Sequence, residues 1–380
     1  MSFTSMHALA ATLAISNASP LIRGPSQPVK RQASAPVLAS AEVLGLVSDP
    51  TWNRDSCTSI GLFGREFWTC RDSQSSTAFI SSSASWTDFN ADGTPAISNG
   101  VLTMYGSNRD DVAYFPVQAD ECGGSAGGCP DGTRYAIWQD SRPMAAGPSS
   151  DTTASLYTWI RTSHIASDLA NLDATPATSL YHSDYTMGSP INDLPPVTVV
   201  NEDFWPAGSI PYGTYGWVQD GETSYLYGLL NNSAGVSVAK VPTASVEDAS
   251  AYTFYTSTGW STTAPAISDA TAAVPNAGTM GQGTFYYSAY FASYVWIGIG
   301  AIGCNAEFLV ATAPAPEGPW TEPASFYTGD VGTSSCGAYS QQAHPELTDD
   351  DAQGSYIYLT YTKVVGAGTY STPLIKVTWA

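Results

Sequence analysis

Charge is scarce in this chain of 380 residues, and basic charge is scarcest. Charged residues make up 12%, with 13 Lys and Arg against 33 Asp and Glu, so the net charge is 13 − 33 = −20. Such a surface repels phosphate backbones and anionic membranes, so neither nucleic acid nor a membrane is expected as a partner. An uncharged glycan suits it better. Metal-ligand patterns are missing as well. No CxxC or HxH occurs, and His7, His164, His182 and His344 are scattered, so no metal and no cofactor is expected. Asp88-Phe-Asn-Ala-Asp-Gly93 alternates acids but lacks the distal Glu of an EF-hand. No apolar run reaches the ~18 residues of a membrane span. The Gly-x-Ser-x-Gly string occurs once, in the glycine-rich loop at 123–128 between Cys122 and Cys129 and away from any helical pattern, so it is no nucleophile elbow, and that loop has no Walker lysine. Amphipathic helical periodicity beyond two turns is absent.

Tyr (22), Trp (11), Gly (34) and Pro (25) are abundant instead. Aromatic residues favour strands and Gly and Pro punctuate turns, so the composition predicts an all-β protein. Strands are expected at 58–69 (a hairpin), 101–105, 111–117, 134–138, 154–165, 177–186 and 195–201. The second half repeats an order of strand, polar turn and strand, followed by a Pro-rich exit with a Trp (Trp260, Trp320). Units of three to four strands at intervals of ~50–70 residues predict a β-propeller. About five units fit into residues 40–380. The strand around Val43–Val47 is expected to pair with a later one, and the final strand to complete the first blade. A double-layer sandwich or a β-helix is the alternative architecture.

The N-terminus carries a modest apolar run, His7–Ser16, then a Pro-rich piece ending in Lys30-Arg31. This reads as a signal peptide and a pro-peptide over 1–31, cut at a fungal kexin-type site, with a single domain over 32–380. The processed chain loses Arg23, Lys30 and Arg31 and no acids, so its charge becomes 10 − 33 = −23. Six cysteines fit a secreted, extracellular protein. Their economical pairing is local: Cys57 with Cys70, Cys122 with Cys129, Cys304 with Cys336, although other connectivities are open. Asn231-Asn232-Ser233 is a glycosylation sequon in keeping with that compartment.

One stretch organises the rest, Asn53–Ser73 (NRDSCTSIGLFGREFWTCRDS). Ile60–Phe63 and Phe67–Thr69 read as two strands joined by a turn at Gly64-Arg65-Glu66. Cys57 and Cys70 lie at the open end, where Asp55 and Asp72 then sit together. Acids at one end of a strand pair are where a β-scaffold carries its site, though Asp is also a common turn former.

The run Arg54–Asp72 resembles the opening hairpin of DUF4185 proteins: an Asp, a Gly-containing turn, then an aromatic strand ending in an Asp. Residues 215–260 look like that family's middle blades. Glu307–Trp320 (EFLVATAPAPEGPW) and His344-Pro-Glu346 are similar to segments of five-bladed glycan-active propellers. The resemblance implies a five-bladed β-propeller and glycoside hydrolysis, since some members are endo-D-arabinanases of glycoside hydrolase family 183. Asp55 then occupies the position of an essential Asp. The chain departs from the pattern at Arg71, where Gly is usual, and in its extra Cys57 and Cys70.

A glycosidase needs two carboxyl groups flanking the scissile bond. Asp55 is the first candidate, as base or nucleophile. Candidates for its partner are Asp140, at the end of an aromatic strand; Asp203, with Glu202 beside Phe204-Trp205; and Glu307, which opens a strand. Asp72 is expected to support the ring by bonding backbone amides or Arg54. His344, Trp52 and Trp205, with Tyr212, are candidate sugar contacts, and Arg54 and Asp72 are further substrate-binding candidates. The expected partner is a polysaccharide or oligosaccharide, and the protein is expected to be a monomer. Two other readings stand beside the hydrolase: a lectin-like propeller without catalysis, and a polysaccharide lyase. The lyase needs basic groups to neutralise a uronate, and only Arg54, Arg71, Arg134, Arg142 and Arg161 are suitable.

Overall fold

A computed structural model describes residues 36–119, 121–123, 126–146, 150–300, 304–348, 354–366 and 368–380. The expected signal peptide, the Lys30-Arg31 site and Gly124 and Ser125 of the glycine-rich loop lie outside the described residues. The structure is all-β, with 48% strand and 3% helix. Among the described residues no helix is long and apolar enough to cross a membrane.

Among the described residues the larger sheets follow one another along the chain, each opening on an inner strand, beside two small sheets: Asn53–Arg54, Ser73–Gln74 and Phe79–Ile80, and Arg134–Ala136 with Ser163–Ile165. The first pairs Thr58–Leu62, Arg65–Cys70 and Ser83–Asp88. The second pairs Met144–Ala145, Thr153–Arg161, Thr178–Thr186 and Val197–Trp205. The third runs from Gly216–Asp220 to Gly259–Ser261, and the fourth from Gly283–Ser288 to Ala324–Thr328. The fifth joins Ala338–His344, Tyr356–Gly366 and Thr369–Trp379. Inner strands meet edge to edge: Gly283–Ser288 packs beside Gly216–Asp220 and Ala338–His344, and the latter beside Thr58–Leu62. This is a propeller arrangement.

Closure differs from the expectation. Leu38–Ser48 pairs antiparallel with the last strand, from Leu38 opposite Trp379 to Val47 opposite Thr372. The first strand therefore completes the last sheet, not the reverse. Joining the two ends of the chain in one sheet satisfies an edge that would otherwise be open. The expected strand at 111–117 does not form; that stretch is turn and coil, while Val101–Thr103 pairs parallel to Leu46–Ser48.

The hairpin forms with a tighter turn than expected. Leu62 pairs with Arg65, leaving Phe63-Gly64 as a two-residue turn with φ of 50° and 79°. Positive φ at both positions matches the twist of the flanking strands. Phe67, Trp68 and Trp86 from this sheet are fully buried. The three disulfides are Cys57–Cys70, Cys122–Cys129 and Cys304–Cys336, as the local pairing predicts. In the acidic loop, Asp88 accepts a hydrogen bond from the Tyr105 hydroxyl and Asp92 accepts from Thr94, so both act within local structure.

Candidate active site at the channel mouth

The hairpin's open end explains where the acids go. Asn53–Arg54 pairs with Ser73–Gln74, and Cys57 is tied to Cys70. Between these two clamps the Asp55 N–H donates to the Asp72 carbonyl at 3.0 Å, and the Arg71 N–H donates to the Asp55 carbonyl at 2.9 Å. The ladder thus fixes Asp55, Arg71 and Asp72 side by side, just before the first inner strand.

The segments that precede the other inner strands converge on the same place. Asp140 precedes Met144–Ala145, and Gln282 precedes Gly283–Ser288. Gln282 Nε2 donates to Asp140 Oδ1 at 3.0 Å, and the Ser340 hydroxyl donates to Gln282 Oε1. Ser340 also shares a hydrogen bond with Ser56 at 2.6 Å, and the Ser56 N–H donates to Thr362 Oγ1 at 3.0 Å. A continuous polar chain therefore links the first, second, fourth and fifth sheets. Ser56 and Ser340 both hold positive φ, 48° and 58°. Non-glycine residues in that region are strained, and such strain gathers at functional sites.

Charges at the mouth are paired. Arg71 bonds the Gln139 carbonyl at 3.2 Å and forms an ion pair with Asp140; Arg161 reaches the other Asp140 oxygen at 3.2 Å. Arg134 grips both oxygens of Asp72, and Trp138 Nε1 donates to the same carboxylate at 3.0 Å. Asp55 differs. It accepts from the Ser56 hydroxyl at 2.7 Å and from the Tyr339 hydroxyl, with Arg71 nearby but, among the described residues, no ion pair of its own. Burial pushes the Asp55 carboxyl above the usual carboxylate range; the Arg71 charge and the two hydroxyl bonds oppose this, and Asp72 adds to it. Burial likewise lowers Arg71 to about 10 and lowers Arg161. Tyr339 is raised, by burial first and then by the Asp55 charge, so its hydroxyl keeps its proton.

A second polar layer lies deeper in the channel. His344 Nδ1 meets Ser59 Oγ at 2.6 Å, and its Nε2 meets Thr360 Oγ1 at 2.7 Å. Ser59 donates to the Glu66 carboxylate, so its lone pair accepts from His344 Nδ1–H, and Nε2 accepts from Thr360. Burial, with Arg142 nearby, lowers His344 to about 3, in keeping with a neutral ring. Arg142 forms an ion pair with Glu346 and stacks on Trp217 at 4.0 Å.

Three of the expected site residues, Asp55, Asp72 and Asp140, share the mouth. The others do not. Arg54 pairs with Asp49 at 2.6 Å, not with Asp72, because Arg134 has taken that carboxylate. Trp52 is buried, 6% exposed. Trp205 is core: it packs edge-on against Phe204, Tyr212 and Tyr252, and its Nε1 donates to the Tyr212 carbonyl. Tyr212 is buried with it. Asp203 is exposed on the outermost strand of the second sheet, where it lines a cavity of about 430 Å³ with Glu202, Asp173 and Glu121. Glu307 opens the third strand of its sheet, and contacts the inner strand beside it through its carbonyl, which Gln341 bonds at 3.3 Å. His344 is in the channel but wholly buried below the mouth. Ser56, Gln282, Tyr339, Ser340 and Tyr370 join the site without a sequence signal beyond their place before or beside strands.

No protein-family model matches this sequence, and no curated protein matches it either. Solved structures do. A Bacteroides ovatus protein assigned provisionally as a hydrolase superposes with a TM-score of 0.56 at 14% identity, over 87% of this chain and 86% of that one. A family 117 glycoside hydrolase of the marine bacterium Zobellia galactanivorans superposes with a TM-score of 0.50 at 9% identity, over 91% and 92%. At these identities the likeness bears on the fold alone.

Proposed function

We propose that the chain is a glycoside hydrolase acting on a neutral polysaccharide at the channel mouth, with Asp55 in proton transfer. The observation that carries this reading is the contrast between carboxyl groups in one site. Asp55 is buried without an ion pair and is raised, whereas Asp140 lies between Arg71 and Arg161. Environments that push two carboxyl groups apart define an acid and an ionised partner. Asp55 then serves as general acid, the reverse of the role its position suggested in the sequence, and Asp140 keeps its charge opposite a developing oxocarbenium ion. Asp72, gripped by Arg134 and Trp138, holds Asp55 in register as a positioning residue.

The arginines argue for a neutral substrate. Arg54 pairs with Asp49, Arg71 and Arg161 with Asp140, Arg134 with Asp72 and Arg142 with Glu346. Each of the five is committed to a carboxylate, so none is left to neutralise a uronate, and the lyase reading loses its support. The similarity of the opening hairpin to DUF4185 proteins makes a furanose-containing glycan such as D-arabinan the first substrate to test, and the disulfides fit a secreted enzyme. A lectin-like role is favoured by one observation: the two carboxylates that share the mouth with Asp55, Asp72 and Asp140, already have arginine ligands.

The test is release of reducing ends from a panel of plant, fungal and mycobacterial polysaccharides, D-arabinan included, beside an Asp55→Asn control. Release by the wild type and not by D55N is expected. Binding by both proteins with release by neither would leave the lectin.

A further inference from the structure

The hydrogen bonds between Asp55 and Asp140 can be followed proton by proton. Four contacts run in series: Asp55 Oδ1 to Ser56 Oγ at 2.7 Å, Ser56 Oγ to Ser340 Oγ at 2.6 Å, Ser340 Oγ to Gln282 Oε1, and Gln282 Nε2 to Asp140 Oδ1 at 3.0 Å. Each hydroxyl owns one proton and so donates once. Ser56 and Ser340 are 3% and 2% exposed, so bulk solvent does not stand in for a missing donor.

Asp140 sets the direction. Held by Arg71 and Arg161, its carboxylate only accepts, which turns Gln282 Nε2 towards it and Gln282 Oε1 towards Ser340. An amide oxygen cannot donate, so the Ser340 proton points at Gln282. The Ser56–Ser340 contact then uses the Ser56 proton. Ser56 has none left for Asp55, and their contact is filled when the proton comes from the Asp55 carboxyl. With an ionised Asp55 the Ser56 hydroxyl donates to it instead, Ser340 turns to Ser56, and Gln282 Oε1 loses its donor within the chain. Leaving such an acceptor unmade is unfavourable. Burial of Asp55 acts in the same direction.

We propose that Ser56, Ser340 and Gln282 are positioning residues that form a one-way relay, keeping the proton on Asp55 while Asp140 stays ionised. This rests on the glycosidase reading of the same mouth and deepens it: the charge of one carboxyl group sets the proton of the other across three sheets. When Asp55 gives its proton to the leaving oxygen, the two hydroxyls rotate and keep their own protons, and no bond within the relay breaks. Gln282 Oε1 then lacks a donor until Asp55 is protonated again, which favours return of the acid form. Arg71, Asp72, Tyr339 and Tyr370 also face Asp55, and Arg71 and Arg161 face Asp140. None of these belongs to the relay, so removing a relay hydroxyl leaves them in place.

The experiment titrates Asp55 by carbon NMR in wild type, S340A and S340G, each labelled at the aspartate carboxyl carbon, with D55N identifying the Asp55 signal. Both variants remove the hydroxyl, and glycine also relieves the positive φ, so agreement between them separates the lost proton from backbone strain. Without Ser340 the Ser56 proton is free to serve an ionised Asp55. The Asp55 titration midpoint should therefore fall by about one pH unit in both variants, a tenfold loss of proton affinity and the worth of one hydrogen bond. On whichever glycan is cleaved, the alkaline limb of kcat/KM, which reports the protonated acid, should move to lower pH by the same step. A midpoint within about half a pH unit of wild type, or above it, in either variant overturns the relay and leaves the hydrolase standing. The titration needs no substrate, so the expected fall in a protein that cleaves none of the glycans supports the relay and overturns the hydrolase reading.

Discussion

Asp55 and Asp72 are joined backbone to backbone: the Asp55 N–H donates to the Asp72 carbonyl at 3.0 Å across the open end of a disulfide-closed hairpin. Seventeen positions apart in the chain, the two acids occupy one rung of a ladder. Their side chains then diverge in fate. Asp72 is spent on Arg134 and Trp138, and Asp55 is left with two hydroxyl donors in a buried setting. The proposed chemistry depends on that divergence.

Asp55→Asn should lower kcat by on the order of 10²–10⁴, the range of a lost general acid. The same variant tests the raised carboxyl through stability. A folded-state pKa above the unfolded one means the native state binds more protons, so wild-type stability falls as pH rises from the unfolded value through the folded one. D55N should abolish that loss, seen as a flatter dependence of the denaturation midpoint on pH across the acidic range.

Asp72→Asn should affect turnover less than D55N, because it leaves Asp55 present but loosens Arg134. A kcat loss equal to that of D55N would instead make Asp72 a reacting group. Steady-state kinetics of the two variants on one substrate decide this.

His344 predicts an opposite pH dependence. Its folded-state value of about 3 lies below the ordinary imidazole value of 6.5, so the unfolded state takes up a proton that the native state refuses. Stability is then lost as pH falls from 6.5 towards 3, by at most about 5 kcal/mol for this residue alone. In H344Q, denaturant titrations at pH 7 and pH 4 should differ less than in the wild type.

The Cys57–Cys70 bond closes a loop with a sequence separation of 13 and clamps the segment that holds Asp55. Replacing both residues by Ser should destabilise the fold by about 3 kcal/mol on loop-closure grounds. It should also weaken activity at temperatures where the protein is still folded, because one of the two clamps on the Asp55 rung is gone. Thermal unfolding and rate measurements on the same samples separate the two effects.

Arg142 and Glu346 form an ion pair inside the channel, with Arg142 side-chain exposure of 6%. R142M alone leaves a half-buried carboxylate unpaired and should cost about 3 kcal/mol, and pairing it with E346Q should recover part of this. Failure of the double variant to recover any stability would mean that packing of Arg142 on Trp217 carries the effect.

Much of the fold was legible because strands write themselves locally. The hairpin, the three cysteine pairs, the strands at 177–186 and 195–201 and the repeated units all follow from alternation and turn residues. What failed has a common cause. The stretch at 111–117 alternates like a strand, yet Tyr114 and Phe115 dock on Ser82 from a loop. Trp52 and Trp205 looked like sugar contacts because aromatic residues near acids fit that role, yet burial claimed both for the core.

The amino-acid sequence by itself determined the class of structure, the two shorter cysteine pairs and the placing of Asp55, Arg71 and Asp72 on one hairpin end, since each depends on neighbours within about twenty residues. Tertiary structure alone decided which acids meet. Asp140 joins Asp55 only because inner strands far apart in the chain converge, and Asp203 is excluded because its strand is the outermost of its sheet. Which arginine takes which carboxylate is likewise a matter of distances across sheets, and those distances leave Asp55 as the acid at the mouth without an ion pair.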